Sequence, residues 1–198
     1  MSENINISEG LQFYFGNYQN QGAIDKILSQ KNMPSDLSWE EIEQFNDAKL
    51  STLNVQVDYW KLLHHIWNVT WGTAIDLSRY QPVAPGFYAN RKGNENSVEW
   101  VWDYYFYKTF EYKSYRLYTI CYADTEDGVQ IGFFVEDENS DEYALSNQLV
   151  LSESWLEAEG DERWTRSKLV QIAGQSNVNI DLLIGLANEV ASALEQKI

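Results

Sequence analysis

Asp103, Glu111 and Lys113 are the residues of this chain whose types and spacing come nearest to a catalytic set. Two carboxylates can hold a divalent metal ion and a nearby ammonium can support an attacking water, so such a set would suit metal-assisted hydrolysis. Other chemistry-bearing side chains are scarce. His64 and His65 are the only histidines. Adjacent in a helical stretch, they point about 100° apart and cannot both face one site. The single cysteine, Cys121, lies in an apolar, strand-like run and reads as a small buried hydrophobe. No G-x-S-x-G elbow, HExxH pair, cysteine-based zinc site or glycine-rich phosphate loop occurs. "DENSDE" offers Asp137, Asn139 and Asp141 at the opening positions of a calcium loop. Glu142, however, stands where such a loop needs glycine, and Gln148 where it needs glutamate. Neither a metal site nor a cofactor is expected.

Asp103 followed by Glu111-Tyr112-Lys113 resembles the motif of the metal-dependent nucleases of the PD-(D/E)xK type, over three residues of 198. The resemblance implies a nuclease-like hydrolase, with Asp103 and Glu111 on the metal and Lys113 on the water. Two features of the chain oppose it. Periodicity puts Glu111 and Lys113 at a hairpin turn rather than inside a strand, and the surrounding charge repels a polyanionic substrate. The expectation is turn residues plus one strand acid and no catalytic residue, with the hydrolase as an alternative.

The elements around these residues follow from hydrophobic spacing. "LQFYF" predicts an edge strand or a segment docked on the core, and "GAIDKILSQKN" a short helix. "SDLSWEEIEQFNDAKLS" predicts a helix that opens on a capping box, Ser38 with Glu41. A second, longer helix is expected from Val55 to about Ser78, interrupted near Gly72. The period then changes to two. Val98–Tyr107, Ser114–Ala123 and Val129–Glu136 predict three strands, joined through "KTFEYK" and through "DTEDG" with its Asp127-Gly128 turn. Connections this short make the strands antiparallel. Further on, a short helix is expected around Ser152–Glu159 and a fourth strand in "RWTRSKLVQIA". A closing amphipathic helix should bury Leu183, Leu186, Val190 and Leu194. The fold class is α+β in a single domain over 1–198. Residues 1–90 are expected to be mainly helical, and 91–198 to hold a meander of three to four strands and the terminal helix that packs on it.

Thirty acids against fourteen bases give a net charge of −16. Residues 51–100 are balanced, four acids to four bases, whereas Leu117 to Glu162 contains thirteen acids and no Lys or Arg. A field of this sign repels nucleic acid and attracts a basic protein. Eleven of the 23 residues from Trp100 to Tyr122 are aromatic. On the first strand Trp100, Trp102, Tyr104 and Phe106 form an apolar face, and Asp103, Tyr105 and Tyr107 share the opposite one. Tyrosines beside carboxylates suit a protein-binding face. The expected partner-binding residues are Asp103, Tyr105, Tyr107, Asp124, Glu126, Asp127, Glu136, Asp137, Glu138, Asp141 and Glu142. "MSENINISEGLQFYF" lacks the basic and apolar regions of a secretory leader, and one cysteine fits a reducing compartment, so a cytoplasmic location is expected. These features predict a non-enzymatic acidic protein that occludes a basic, nucleic-acid-handling partner as an immunity protein, antitoxin or counter-defence inhibitor. Direct nucleic-acid or membrane binding is not expected. A secretion-type acidic chaperone is the alternative among binding modules.

Overall fold

The computed structural model describes residues 3–30, 32–33, 35–76, 81–82, 105–124, 128–137, 148–157 and 165–197. The architecture is α+β, with helices packed on one face of an antiparallel sheet. Strand β1 (Asn4–Asn6) precedes α1 (Glu9–Tyr14) and α2 (Tyr18–Ser29). "LQFYF" is therefore mostly helix, which corrects the strand expectation. Ser8 Oγ caps the Leu11 amide, and burial of Tyr14 and Phe15 against Tyr59 draws the cluster into the helical layer.

The two expected central helices are one. Helix α3 (Trp39–Val69) runs 31 residues from the predicted capping box, in which Ser38 accepts from the Glu41 amide and Glu41 accepts from the Ser38 amide. Its inward positions in the middle are Thr52 and Gln56, both buried. Polar residues there hid the continuity of the stripe. The helix stops at Thr70, whose backbone leaves the helical region and whose hydroxyl donates to the Ile66 and Trp67 carbonyls. A short turn, α4 (Trp71–Ala74), follows.

The main sheet comprises β2 (Gln81–Pro82), β3 (Tyr105–Tyr112), β4 (Tyr115–Asp124), β5 (Gly128–Asp137), β6 (Trp155–Glu157), β7 (Thr165–Ser167) and β8 (Val170–Gln171). Its order is β2-β3-β4-β5-β7-β6, with β8 also on β5. The expected meander is β3-β4-β5, in register Phe110↔Leu117↔Val135. "KTFEYK" is not a connection. Lys108 to Tyr112 continue β3, and the chain reverses at Lys113 and Ser114, with Lys113 at φ 54° as a two-residue hairpin loop requires. Strand β6 replaces the helix expected around Ser152–Glu159, and "RWTRSKLVQIA" supplies β7 and β8 instead of one strand. Residues 98–104 of the first predicted strand lie outside the described residues.

Strand β9 (Asn177–Asn179) pairs with β1 in a separate two-stranded ribbon, and helix α5 (Asp181–Lys197) follows. It buries the predicted Leu183, Leu186, Val190 and Leu194. The ribbon ties the two ends of the described chain together: the Glu3 amide donates to Asp181 at 2.8 Å and the Ile180 amide to the Glu3 carbonyl at 3.1 Å. One continuous core runs from Ile5 to Leu194.

Gly128 is where β8 comes closest to β5. A Cβ there would lie 2.1 Å from the Val170 carbonyl oxygen, a backbone atom that cannot step aside. Gly128→Ala is expected to cost about 1–3 kcal/mol through overpacking and loss of the β5–β8 pairing, measured by urea unfolding. The exposed Gly22→Ala, with open space around it, should not destabilise and serves as its control.

Candidate functional site

Alternation sorts the sheet into two faces. The first carries Lys108 and Phe110, then Leu117, Thr119 and Cys121, then Ile131, Phe133 and Val135. This face meets α3 and α4. Trp67 stacks on Phe110 at 6.1 Å, Lys108 Nζ lies 4.3 Å from the Trp67 ring centre, and Trp67 Nε1 donates to Thr119 Oγ1 at 3.1 Å. Trp71 Nε1 donates to the Ile120 carbonyl at 3.1 Å. Cys121 is fully buried, and burial pushes its thiol well above the ordinary range, so it is no nucleophile.

The second face carries Glu111, then Arg116, Tyr118, Ile120 and Tyr122, then Gln130, Phe134 and Glu136. Tyr118 and Phe134 stack with ring centres 4.0 Å apart, and the Tyr118 hydroxyl donates to Glu136 at 2.8 Å. Burial, then the bond to Glu136, raises the phenol's pKa and holds its proton. Arg116 donates to Glu111 Oε1 through Nη2 at 2.8 Å and Nε at 3.3 Å. Arg166 of β7 lies 5.4 Å from the Tyr122 ring centre. Exposure is graded along this face: Ile120, Phe134 and Gln130 are 6–8% exposed, whereas Glu111 is 44% and Arg116 32%. The tyrosine-rich face is closed in the middle and half-open at the Glu111–Arg116–Glu136 end.

The expected partner-binding residues divide accordingly. Tyr105 and Tyr107 lie in β3, in register with Tyr122 and Ile120. Asp124 ends β4 opposite Gly128, while Glu136 and Asp137 end β5 opposite Arg116 and Tyr115. Acids close in sequence are thus carried to opposite ends of a hairpin, about 27 Å apart along β5. Asp103, Glu126, Asp127, Glu138, Asp141 and Glu142 lie outside the described residues, as does Asn139 of the calcium-like pattern.

Of the nuclease-like triplet, Glu111 is inside β3 rather than at the turn, and its carboxylate is taken by Arg116. Lys113 occupies the reversal. Among the described residues no group of three or more His, Cys, Asp or Glu side chains is placed to hold a metal ion, and no helix is long and apolar enough to cross a membrane. Sequence reasoning missed Arg116 as the partner of Glu111. The signal was available, since two opposite charges one pair back from a two-residue loop stand directly across the hairpin. The chain matches no family model, no curated protein and no solved structure in comparisons with known proteins.

The two histidines diverge as expected. His64 Nε2 is 3.0 Å from the Asn68 amide nitrogen, and His65 Nε2 is 3.5 Å from Glu3. Burial first, then Lys108 and His65, lowers the pKa of His64 from 6.5. A depressed imidazole makes the unfolded chain bind more protons than the folded one as pH falls below about 6.5. The associated stability is present above that pH and is lost on acidification. His64→Gln should therefore lose less stability than the parent chain between pH 7 and 5, read from paired thermal melts. In a two-histidine NMR titration, the resonance absent from the variant should have its midpoint below 6.5.

Proposed function

We propose that this is a non-enzymatic acidic binding protein, cytoplasmic, that occludes a basic and nucleic-acid-handling protein partner in the manner of an immunity protein, antitoxin or counter-defence inhibitor. The observation that carries this reading is the base-free run of thirteen acids between Leu117 and Glu162. Within the described residues of that run, Glu136 stands at the half-open end of the second face, beside the Tyr118–Phe134 stack, and Asp137 follows it at the end of β5. A carboxylate fixed by a tyrosine hydroxyl loses little side-chain freedom when a guanidinium or ammonium of a partner reaches it. Aromatic rings beside it supply apolar anchoring around the ionic contact. Lys and Arg side chains that serve a partner's phosphate groove would then meet carboxylates in place of phosphates, and nucleic acid would be displaced by competition.

A partner recovered from the native host at low ionic strength should elute as salt is raised, because exposed charge pairs are screened over about 10 Å at 0.1 M salt. Affinity should fall steeply between about 0.05 and 0.5 M salt, and nucleic acid should compete for the same partner. The double variant Glu136→Gln with Asp137→Asn should slow association several-fold while changing dissociation less, since surface charge acts mainly on encounter. An affinity that does not change with salt would sink the mechanism. Appearance of Mg²⁺-dependent nuclease activity lost in Glu111→Ala would replace it with the hydrolase.

A further inference from the structure

The small ribbon sets Asn-Ile-Asn of β1 against Asn-Val-Asn of β9, and its hydrogen bonds fix which backbone groups remain for others. The Ile7 amide donates to the Ser176 carbonyl, and the Ile180 amide to the Glu3 carbonyl. Bonded positions alternate in an antiparallel ladder, so Glu3, Ile5 and Ile7 turn their backbone groups to β9. The N–H and C=O of Asn4 and Asn6 point the other way. Both asparagines are exposed, and among the described residues only β9 pairs with β1. A cavity of about 250 Å³ lies between β1, α1 and α3. Ile5, Leu11 and Leu62 give it an apolar lining, and no residue of β9 borders it, so it opens on the side of β1 away from its partner strand. Each end carries an acid. Glu3 is 3.5 Å from His65 at one end, and Asp58 is 3.7 Å from Lys61 at the other. In both pairs the carboxylate is the deeper member, 36% exposed against 73% for Lys61 and 42% against 49% for His65. Neither separation is that of a hydrogen bond, so both carboxylates keep acceptor sites for a further donor.

We propose that the open edge of β1 and this cavity take an extended segment of a partner protein as a third strand. The segment has an aliphatic residue at its centre and Lys or Arg two positions away on each side. The outward groups of Asn4 and Asn6 are those that an added antiparallel strand bonds. The residue opposite Ile5 points its side chain the way Ile5 does, into the cavity. At about 250 Å³ the space falls below that of small-molecule pockets and suits one aliphatic side chain. Residues two positions away face the same side, opposite Glu3 and opposite Ile7. There one reaches Glu3 and the other Asp58. Asp58 and His65 are about 10 Å apart along α3, and the two flanking residues about 13 Å apart along a strand, a mismatch that long cationic side chains span. The net charge of −16 draws a segment of the same sign. A second copy of this chain fits poorly, because a two-fold axis through Ile5 would set Glu3 of one copy beside Asp58 of the other. The proposal uses none of the acids of β4 and β5 and stands apart from the function proposed above.

The probe is the peptide acetyl-Lys-Thr-Leu-Thr-Lys-amide, titrated into the isotope-labelled full chain and followed by amide NMR. Saturable shifts centred on Asn4, Asn6 and Leu62 are expected, with a Kd below about 1 mM. Methylating the two Thr nitrogens, which face β1, should abolish binding, whereas methylating the two Lys nitrogens, which face away, should preserve it. These peptides leave the chain untouched, so no folding defect can produce the difference. Replacing both Lys by Glu should weaken binding about tenfold or more, and Asp58→Asn in the chain about two- to fivefold. Glu136→Gln with Asp137→Asn should leave peptide binding unchanged, which separates this site from the acidic end of β5. Absence of shifts at about 5 mM peptide would overturn the proposal. So would equal binding of the two methylated peptides, equal binding of the Glu peptide, or shifts centred on Glu136 instead of Asn4 and Asn6. A mass rising above 23.0 kDa with chain concentration, together with shifts at Asn4 and Asn6 without peptide, would overturn it in favour of a second copy.

Discussion

Three tryptophan indoles, each with its N–H satisfied, hold the helical layer on the sheet. Trp67 donates to Thr119, Trp71 to the Ile120 carbonyl and Trp155 to Glu189 of α5. The large rings remove apolar area from water, and the polar edges of these three each find an acceptor. Trp71, Phe133 and Trp155 are mutually in contact, with centroids 5.1–6.3 Å apart, so the cluster links α4, β5 and β6 in one body. Glu189 also accepts from the Ser152 amide and hydroxyl, and this fixes the approach to β6 against α5. An indole bond has an angular requirement that dispersion contacts lack. The pairing of α3 with β4 is therefore specified in register as well as in depth.

This anchoring explains where sequence patterns were readable. The α5 face was legible because one clean apolar stripe meets one surface. The α3 start was legible because capping is local chemistry, complete within Ser38 to Glu41. Strands β4 and β5 were legible because their extended pattern is unbroken, and each ends within one residue of its predicted bounds. Elsewhere tertiary contacts decided. Around "SESWLEAE" the residues are good helix formers, but Trp155 is held by Trp71, Phe133 and Glu189, and the backbone extends as β6. Lys108 is a charge on a core face and made β3 read as ending early. Its ammonium lies over the Trp67 ring, an interaction no pattern of hydrophobicity encodes. The α3 continuity was obscured for the same reason, by Thr52 and Gln56 at inward positions.

The candidate site was legible as a composition and not as a geometry. A run of acids without bases is visible in any reading of the chain, yet pairing of β4 with β5 divides it between two ends of the sheet. Arg116 stands across from both Glu111 and Glu136 in the register. Arg116, which borders the run on its N-terminal side, thus stands across from Glu136 of that run. Tyr118 is stacked on Phe134 and spends its hydroxyl on Glu136.

Charge and packing solve each other's problem in this molecule. A chain at −16 gains nothing from bringing carboxylates together, and the described acids are either open to solvent or held by a specific donor. Glu111 has Arg116, Glu136 has Tyr118, and Glu189 has Ser152 and Trp155. Cohesion must come from apolar area, and the high aromatic content supplies it in large rings with polar edges.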